Sequence, residues 1–294
     1  MIIEAQNLTK YYGKTVGIKG LNLEVEEKDI FGFIGPNGSG KSTTIRILMG
    51  LMSSSSGSAK IFGKDIRKYK EEILSNIGYI PSEVMFYKGM KVSEVLSLSE
   101  KLYKKISTAK TSDLCERFQL DPSKKVEKLS LGNRKKVSII CALQHNPKLY
   151  IFDEPTSGLD PLIQNEFFKI LKERVSEGAT VFLSSHILSE IQMHCNKAGI
   201  IREGTVIACD SVEKLSKTKA KRVNITGINN IEMKGIVDVK TDKNNISFLY
   251  NGDMSYLLLK LQGLKIKDLT ITEPSLDEIF MHFYSKDGEN NDYI

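Results

Sequence analysis

Short apolar runs alternate with amphipathic stretches through most of the chain. Ile2 to Leu8 and Leu21 to Val25 show partial alternation and predict short strands, and Ile30-Phe31-Gly32-Phe33-Ile34 is a continuous apolar run that predicts a buried one. A glycine-rich loop follows, then a predicted helix from about Ser42 to Met49, closed by Gly50. Met52 to Gly57 is a serine-rich turn, and Ala59 to Phe62 and Ile77 to Ile80 predict further strands. Between about residues 84 and 146 the period becomes helical: Val92, Val95, Leu96, Leu102 and Tyr103 share one face, Leu114 and Phe118 begin a second helix, and Val137, Ile140, Cys141 and Gln144 line a third.

Strand and helix patterns then alternate over Leu149 to Phe152, Pro161 to Val175, Thr180 to Ser184, Ile187 to Cys195 and Gly199 to Arg202. This alternation predicts an α/β fold with a largely parallel sheet and a helical insertion at 84–146. Past Val212 the pattern changes again. Val223-Asn224-Ile225-Thr226 and Ile246 to Tyr250 predict strands, and Met254 to Leu261 and Ser275 to Tyr284 predict helices. The expected organisation is a first domain over 1–216, a small α+β accessory domain over 217–286 and a polar, disordered tail over 287–294.

No apolar run is long enough to cross a bilayer, and Met1-Ile2-Ile3-Glu4 lacks the basic and apolar regions of a secretory signal. The expected location is therefore cytoplasmic, with any membrane role left to another polypeptide. The net charge of +6 permits nucleic acid or anionic lipid as a partner, but the charge is spread along the chain and reads as a solvated surface. The densest basic stretch, Lys214, Lys217, Lys219, Lys221 and Arg222, falls at the predicted domain junction and reads as a linker. The four cysteines form no Cys-x-x-Cys pair and are expected as free thiols, with Cys141 and Cys195 in the core.

The chemistry concentrates in two places. Gly35-Pro36-Asn37-Gly38-Ser39-Gly40-Lys41-Ser42 fits G-x-x-x-x-G-K-[ST] between a predicted strand and a predicted helix. Glycines let backbone N–H groups turn toward phosphate oxygens, the helix start adds a positive dipole end, Lys41 adds a point charge, and the Ser42 hydroxyl is a hard ligand for Mg²⁺. Thr43 follows in the same turn. The second place is Leu149 to Glu154, an apolar strand that delivers two carboxylates at its C-terminal end. Asp153 suits the metal shell, and Glu154 suits orientation or deprotonation of an attacking water. Strand alternation sends the two side chains to opposite faces and so to different jobs. His186 ends another apolar strand; contact with the γ-phosphate or its water and a solvent-facing histidine at a helix start are both open readings.

The P-loop, Leu129-Ser130-Leu131-Gly132-Asn133, Asp153-Glu154, Ser157-Gly158-Leu159-Asp160 and His186, in this order, resemble the nucleotide-binding domain of ABC transporters over Met1 to Ser216. The tail from Glu273 to Phe280 resembles the ending of the drug-, bacitracin- and lantibiotic-export branch. The resemblance implies a P-loop NTPase core with an antiparallel β subdomain, ATP and Mg²⁺ as cofactors, and ATP hydrolysis by Glu154, His186 and Lys41. It also implies a head-to-tail homodimer or heterodimer of such subunits, a separate transmembrane permease subunit contacted between Ser82 and about Tyr103, and a peripheral place on the inner face of the membrane. Ser130 and Gly132 would touch the nucleotide held by the partner, Asp160 would lie on the dimer seam, and Tyr12 would stack on adenine, with Tyr11 as a competitor.

Two positions depart from the family pattern. Leu131 and Asn133 replace Gly and Gln of Leu-Ser-Gly-Gly-Gln, and Ser82 follows Pro81 where a metal-binding Gln is usual. Ser82 or Glu83 could take over the metal contact, or the loop could only transmit motion. Two further classes fit parts of the sequence: an ABC-type ATPase acting on nucleic acid or the ribosome, and a low-turnover regulatory ATP binder. The absence of a second P-loop and of a long coiled-coil insertion argues against the first, so no nucleic acid partner is expected.

Overall fold

The computed structural model describes residues 1–103, 108–216 and 220–274. Its contacts divide the chain at Val212. In the first unit, β1 (Ile3–Tyr12), β2 (Thr15–Val25), β3 (Ile30–Ile34), α1 (Lys41–Leu48), β4 (Ser56–Ile61), β5 (Lys64–Asp65), α2 (Lys70–Leu74) and β6 (Ile77–Ile80) come first. The helical stretch follows with α3 (Val92–Tyr103), α4 (Thr108–Arg117) and α5 (Leu131–Leu143). The chain then alternates through β7 (Leu149–Asp153), α6 (Pro161–Ser176), β8 (Thr180–Ser185), α7 (Leu188–His194), β9 (Lys197–Arg202) and β10 (Thr205–Ser211), and α8 (Val212–Ser216) begins at the dividing residue.

Two sheets build this unit. One is antiparallel with order β2-β1-β4-β5; the other has order β10-β9-β3-β8-β7-β6, in which β9, β3, β8, β7 and β6 are parallel and β10 is an antiparallel edge. Every residue of β3, β7 and β8 is buried, as the continuous apolar runs require of strands covered on both faces. A cluster of buried side chains joins the sheets, with Leu8, Leu21 and Leu23 from one and Phe31, Phe33, Ile151 and Phe182 from the other, against Ile45, Ile47 and Leu48 of α1. The parallel strands end on one side of the sheet, so the loops after β3, β6, β7 and β8 lie side by side.

β1 and β2 are longer than their alternation predicts. Register shifts interrupt their pairing between Ala5 and Tyr11, and each shift turns the inward face over and breaks the two-residue period. Helix starts follow local chemistry. Asp160 caps α6 by accepting the Ile163 N–H at 3.0 Å, with Pro161 at the first helical position. The helical stretch is fastened to the core by Arg117 of α4, which donates to Glu166 at 2.5 Å and to Glu173 at 2.7 and 2.9 Å, both on α6. These bonds hold the Arg117 guanidinium well above its ordinary pKa and the Glu173 carboxyl below its own.

The second unit contains β11 (Lys221–Thr226), β12 (Ile236–Asp242), β13 (Asn245–Tyr250), α9 (Met254–Leu261) and β14 (Asp268–Thr272). Its antiparallel sheet has the order β12-β13-β11-β14, and Val223, Ile225, Ile246, Phe248 and Tyr250 pack with Leu257 and Leu261 of α9. Lys221 and Arg222 correct the linker reading: both belong to β11, and Arg222 is buried with its guanidinium 2.6 Å from Asp238. A salt bridge of that kind cannot be seen in a local run of charge. Lys217 and Lys219, the predicted helix from Ser275 and the tail lie outside the described residues.

Candidate functional site

The loop between β3 and α1 carries the phosphate motif. Gly38 and Gly40 have φ of 81° and 110°, a region that costs a side chain strain. At Gly40 a Cβ would also stand 2.7 Å from the Gly17 carbonyl oxygen, so glycine is required there twice over. Gly35 and Ser39 are buried, while Pro36, Asn37 and Gly38 are exposed at the tip. Lys41 opens α1 and is only 5% exposed. Its ammonium donates to the carbonyls of Gly35 at 2.6 Å and Pro36 at 3.0 Å and lies 3.6 Å from Glu154 Oε1. Burial pulls its pKa down, and Glu154 and Asp153 oppose that shift. Ser42 and Thr43 follow in the first turn, half-buried.

Asp153 is the last residue of β7, and its side chain is fully buried. Glu154 lies beyond the strand, with φ of 49°. The alternation argument therefore does not apply to Glu154: a left-handed turn, not the pleat, aims its carboxylate. Ser184 of β8 stands opposite Asp153 in register and holds this turn. Its hydroxyl donates to Asp153 Oδ1 at 2.7 Å and accepts the Glu154 N–H at 3.0 Å. Glu154 Oε2 lies 3.1 Å from His186 Nδ1, so Lys41, Glu154 and His186 form one connected group. Asp153 Oδ2 is buried with no hydrogen-bond partner among the described residues, which is costly for a carboxylate oxygen unless a cation faces it. That orphaned oxygen fits a hard divalent cation such as Mg²⁺, and the Ser42 and Ser82 hydroxyls, on the segments after β3 and β6, are oxygen donors of the kind it takes.

Ser82 is half-buried in the loop after β6, and Glu83 is exposed. Lys135 of α5 reaches this loop and donates to the Pro81 carbonyl at 3.2 Å and the Ser82 carbonyl at 3.4 Å. Lys135 is 3% exposed, and burial lowers its pKa to about 8 against the field of Asp153 and Glu154. Sequence reasoning passed over Ser184 and Lys135. Ser184 had a usable signal, two residues before His186 at a strand end; Lys135 looks like one more basic residue on a helix.

Ser130, Gly132 and Asp160 make no hydrogen bond or ion pair to the Lys41–Glu154 group among the described residues. Ser130 caps α5 by accepting the Asn133 N–H at 3.3 Å. At Gly132 a Cβ would meet the Gly158 carbonyl at 2.6 Å, so this helix start sits directly on the Ser157–Asp160 turn. Leu131 is 61% exposed. Tyr12 is exposed too, and its hydroxyl lies 3.2 Å from Thr43 Oγ1 and 3.0 Å from Met52 Sδ, which sets the ring beside the first turn of α1. Among the described residues the Tyr11 hydroxyl has no such tie; its N–H donates to Ser55 Oγ at 3.0 Å. His194 stacks on Phe168 with centroids 3.8 Å apart, and Cys195 is buried, so this pair packs.

A P-loop beside two strand-end carboxylates, with an antiparallel sheet and a helical stretch attached, defines a nucleotide-hydrolysing cassette. The ABC transporter family profile matches residues 18–157. The chain is 34% identical to the bacitracin transport ATP-binding protein BcrA of Bacillus licheniformis, over 95% of this chain and 96% of that one. It is 29% identical to the linearmycin resistance ATP-binding protein LnrL of Bacillus subtilis (strain 168), over 96% of this chain and 97% of the other. Among solved structures, an ATP-binding subunit of an ABC transporter superposes with a TM-score of 0.68 at 30% identity, covering 73% of this chain and 92% of that one. A nucleotide-free ATP-binding cassette gives 0.62 at 27% identity, covering 71% and 91%. The chain belongs to the ABC transporter family: it is an ATP-binding subunit, an ATPase that powers a separate transporter. Among the described residues no helix is long and apolar enough to cross a membrane.

Proposed function

We propose that this subunit hydrolyses Mg-ATP at the Lys41–Glu154–His186 group and passes the resulting motion to a transmembrane permease that exports a peptide antibiotic or a hydrophobic toxin. The observation that carries the catalytic reading is the Glu154 carboxylate, held between Lys41 and His186 by a strained turn that Ser184 anchors.

The amides of Gly35 to Ser42 and the Lys41 ammonium bind the β- and γ-phosphates, and Tyr12, tied to Thr43, stacks on the base. Asp153, Ser42 and Ser82 hold Mg²⁺, which when bound offsets charge on the phosphoryl oxygens. Glu154 accepts a hydrogen bond from the attacking water and aims it in line with the β–γ bond. His186 orients Glu154 and contributes a hydrogen bond toward the γ-phosphate. In a head-to-tail pair, the α5 start at Ser130 and Gly132 offers backbone N–H groups and a dipole end to the nucleotide of the other subunit, and Asp160 lies on the seam. The exposed apolar side chains Met85, Tyr87, Leu98 and Leu102 supply the surface for the permease, on the inner face of the membrane. Likeness over nearly the full chain to a bacitracin transport protein and a linearmycin resistance protein supports the cargo class.

The test is Glu154→Gln. The variant is expected to bind ATP with unchanged affinity, to turn it over at least a hundredfold more slowly, and to accumulate as a nucleotide-bound dimer on size-exclusion chromatography. Normal turnover would reject Glu154 as the catalytic carboxylate. Pull-down of the full chain from membranes is expected to recover an integral membrane protein. Recovery of RNA or ribosomes in its place, lost at high salt, would support the nucleic-acid reading instead.

A further inference from the structure

We propose that Lys135 is a positioning residue for hydrolysis: its ammonium ties the Pro81-Ser82 loop to the helix whose first turn carries Ser130 and Gly132. The proposal rests on the reading above, in which Ser82 faces the metal and Ser130 faces the partner's nucleotide.

Three observations lead to it. First, Lys135 is a buried ammonium whose hydrogen bonds go to two successive neutral carbonyls, those of Pro81 and Ser82. Removing an ammonium from water for neutral acceptors is a poor way to stabilise a fold, since an apolar side chain of similar length would fill the space without that cost. Lys135 nevertheless sits close enough to Asp153 and Glu154 to feel both carboxylates.

Second, α5 already grips β6 at its far end. A Cβ at Gly78 would stand 2.4 Å from the Ala142 carbonyl, so helix and strand backbones are in direct contact there. Lys135 extends that contact past the end of β6 onto the loop. The loop, β6 and α5 therefore move together, and a displacement of the Ser130 end is transmitted to Ser82.

Third, Ser82 offers only a short side chain. A long side chain can search for a ligand through its own rotamers. A serine hydroxyl is one atom from Cβ, so its location is set by the backbone. A short side chain at this place needs a closely held backbone, and hydrogen bonds to the two carbonyls that flank the Ser82 Cα provide that hold.

The experiment uses the full chain, alone or with its permease, in four forms: Lys135→Met, Lys135→Arg, Ser82→Ala and the Lys135→Met/Ser82→Ala double variant. Lys135→Met is expected to lower kcat at least tenfold and to raise the Mg²⁺ concentration for half-maximal rate. Its ATP affinity should stay within twofold and its melting temperature should not fall. Lys135→Arg keeps a donor and is expected to recover most of kcat. Ser82→Ala alone is expected to lower kcat, and added to Lys135→Met it should cost less than a further twofold, because the two act through one loop. Wild-type kcat and Mg²⁺ dependence in Lys135→Met would overturn the proposal. So would a loss of rate explained by a lowered melting temperature, a silent Ser82→Ala, or penalties that multiply in full. Glu154→Gln, assayed beside them, reports on the underlying mechanism separately, since its outcome does not depend on the Pro81-Ser82 loop.

Discussion

Replacing Ser184 by alanine removes one oxygen atom and two hydrogen bonds without opening a sizeable cavity. The hydroxyl is buried between β7 and β8, where it donates to the Asp153 carboxylate and accepts the Glu154 N–H. A hydrogen bond to a charged acceptor contributes about 1.5–3 kcal/mol, and a buried N–H left without a partner costs about 1–3 kcal/mol. The two bonds share one hydroxyl and water can enter part of the gap, so the combined loss is about 3 kcal/mol. For a unit of this size each kcal/mol moves the melting temperature by about 2–4 °C, which makes the expected drop about 6–12 °C. The second readout is chemical. Glu154 sits at a positive φ that costs on the order of 1–3 kcal/mol, and the Ser184 bond helps to offset it. Without that anchor the carboxylate loses its aim between Lys41 and His186, so kcat should fall at least tenfold while ATP affinity stays within a few-fold. Thermal melts and steady-state ATPase assays of the purified chain measure both. A melting temperature within about 2 °C of wild type, which is under about 1 kcal/mol, would refute the packing argument; an unchanged kcat beside a large thermal shift would refute the claim that Ser184 aims Glu154.

Arg117→Met cuts the link between α4 and α6 and should destabilise the first unit by about 1–3 kcal/mol at neutral pH, since half-buried charge-assisted bonds to two carboxylates are lost. Because Arg117 holds the folded-state pKa of Glu173 below the ordinary 4.5, that stabilisation is present above this value and is lost as pH falls through the depressed one. The gap in melting temperature between wild type and variant should therefore narrow on acidification below about pH 4.5, and a gap that widens there would contradict the assignment. Tyr12→Ala should weaken ATP binding by about 1–3 kcal/mol, read by titration with a fluorescent ATP analogue, while Tyr11→Ala leaves it unchanged; the reverse order would move the base to Tyr11.

The elements of the candidate phosphate site were legible in the residue string because their chemistry is local. A loop that must curl its amides inward needs glycine at Gly38 and Gly40, and a parallel strand covered on both faces must be apolar throughout, so β3 and β7 announce themselves within a few residues of Lys41 and Asp153. Sequence likewise placed a helix over Pro161 to Val175, close to the observed α6. It could not place the ends of β1 and β2, where register shifts erase the period, nor see that Arg222 was buried against Asp238. Above all it could not show that Ser184 meets Asp153 and Glu154, or that Lys135 meets the Pro81-Ser82 loop. Their partners lie tens of residues away and meet them only when parallel strands stack in register and a helix folds across the strand ends. Periodicity and motif reflect what each residue owes to its chain neighbours, while the aim of Glu154 depends on hydrogen bonds between segments, and these exist only once the sheet has formed.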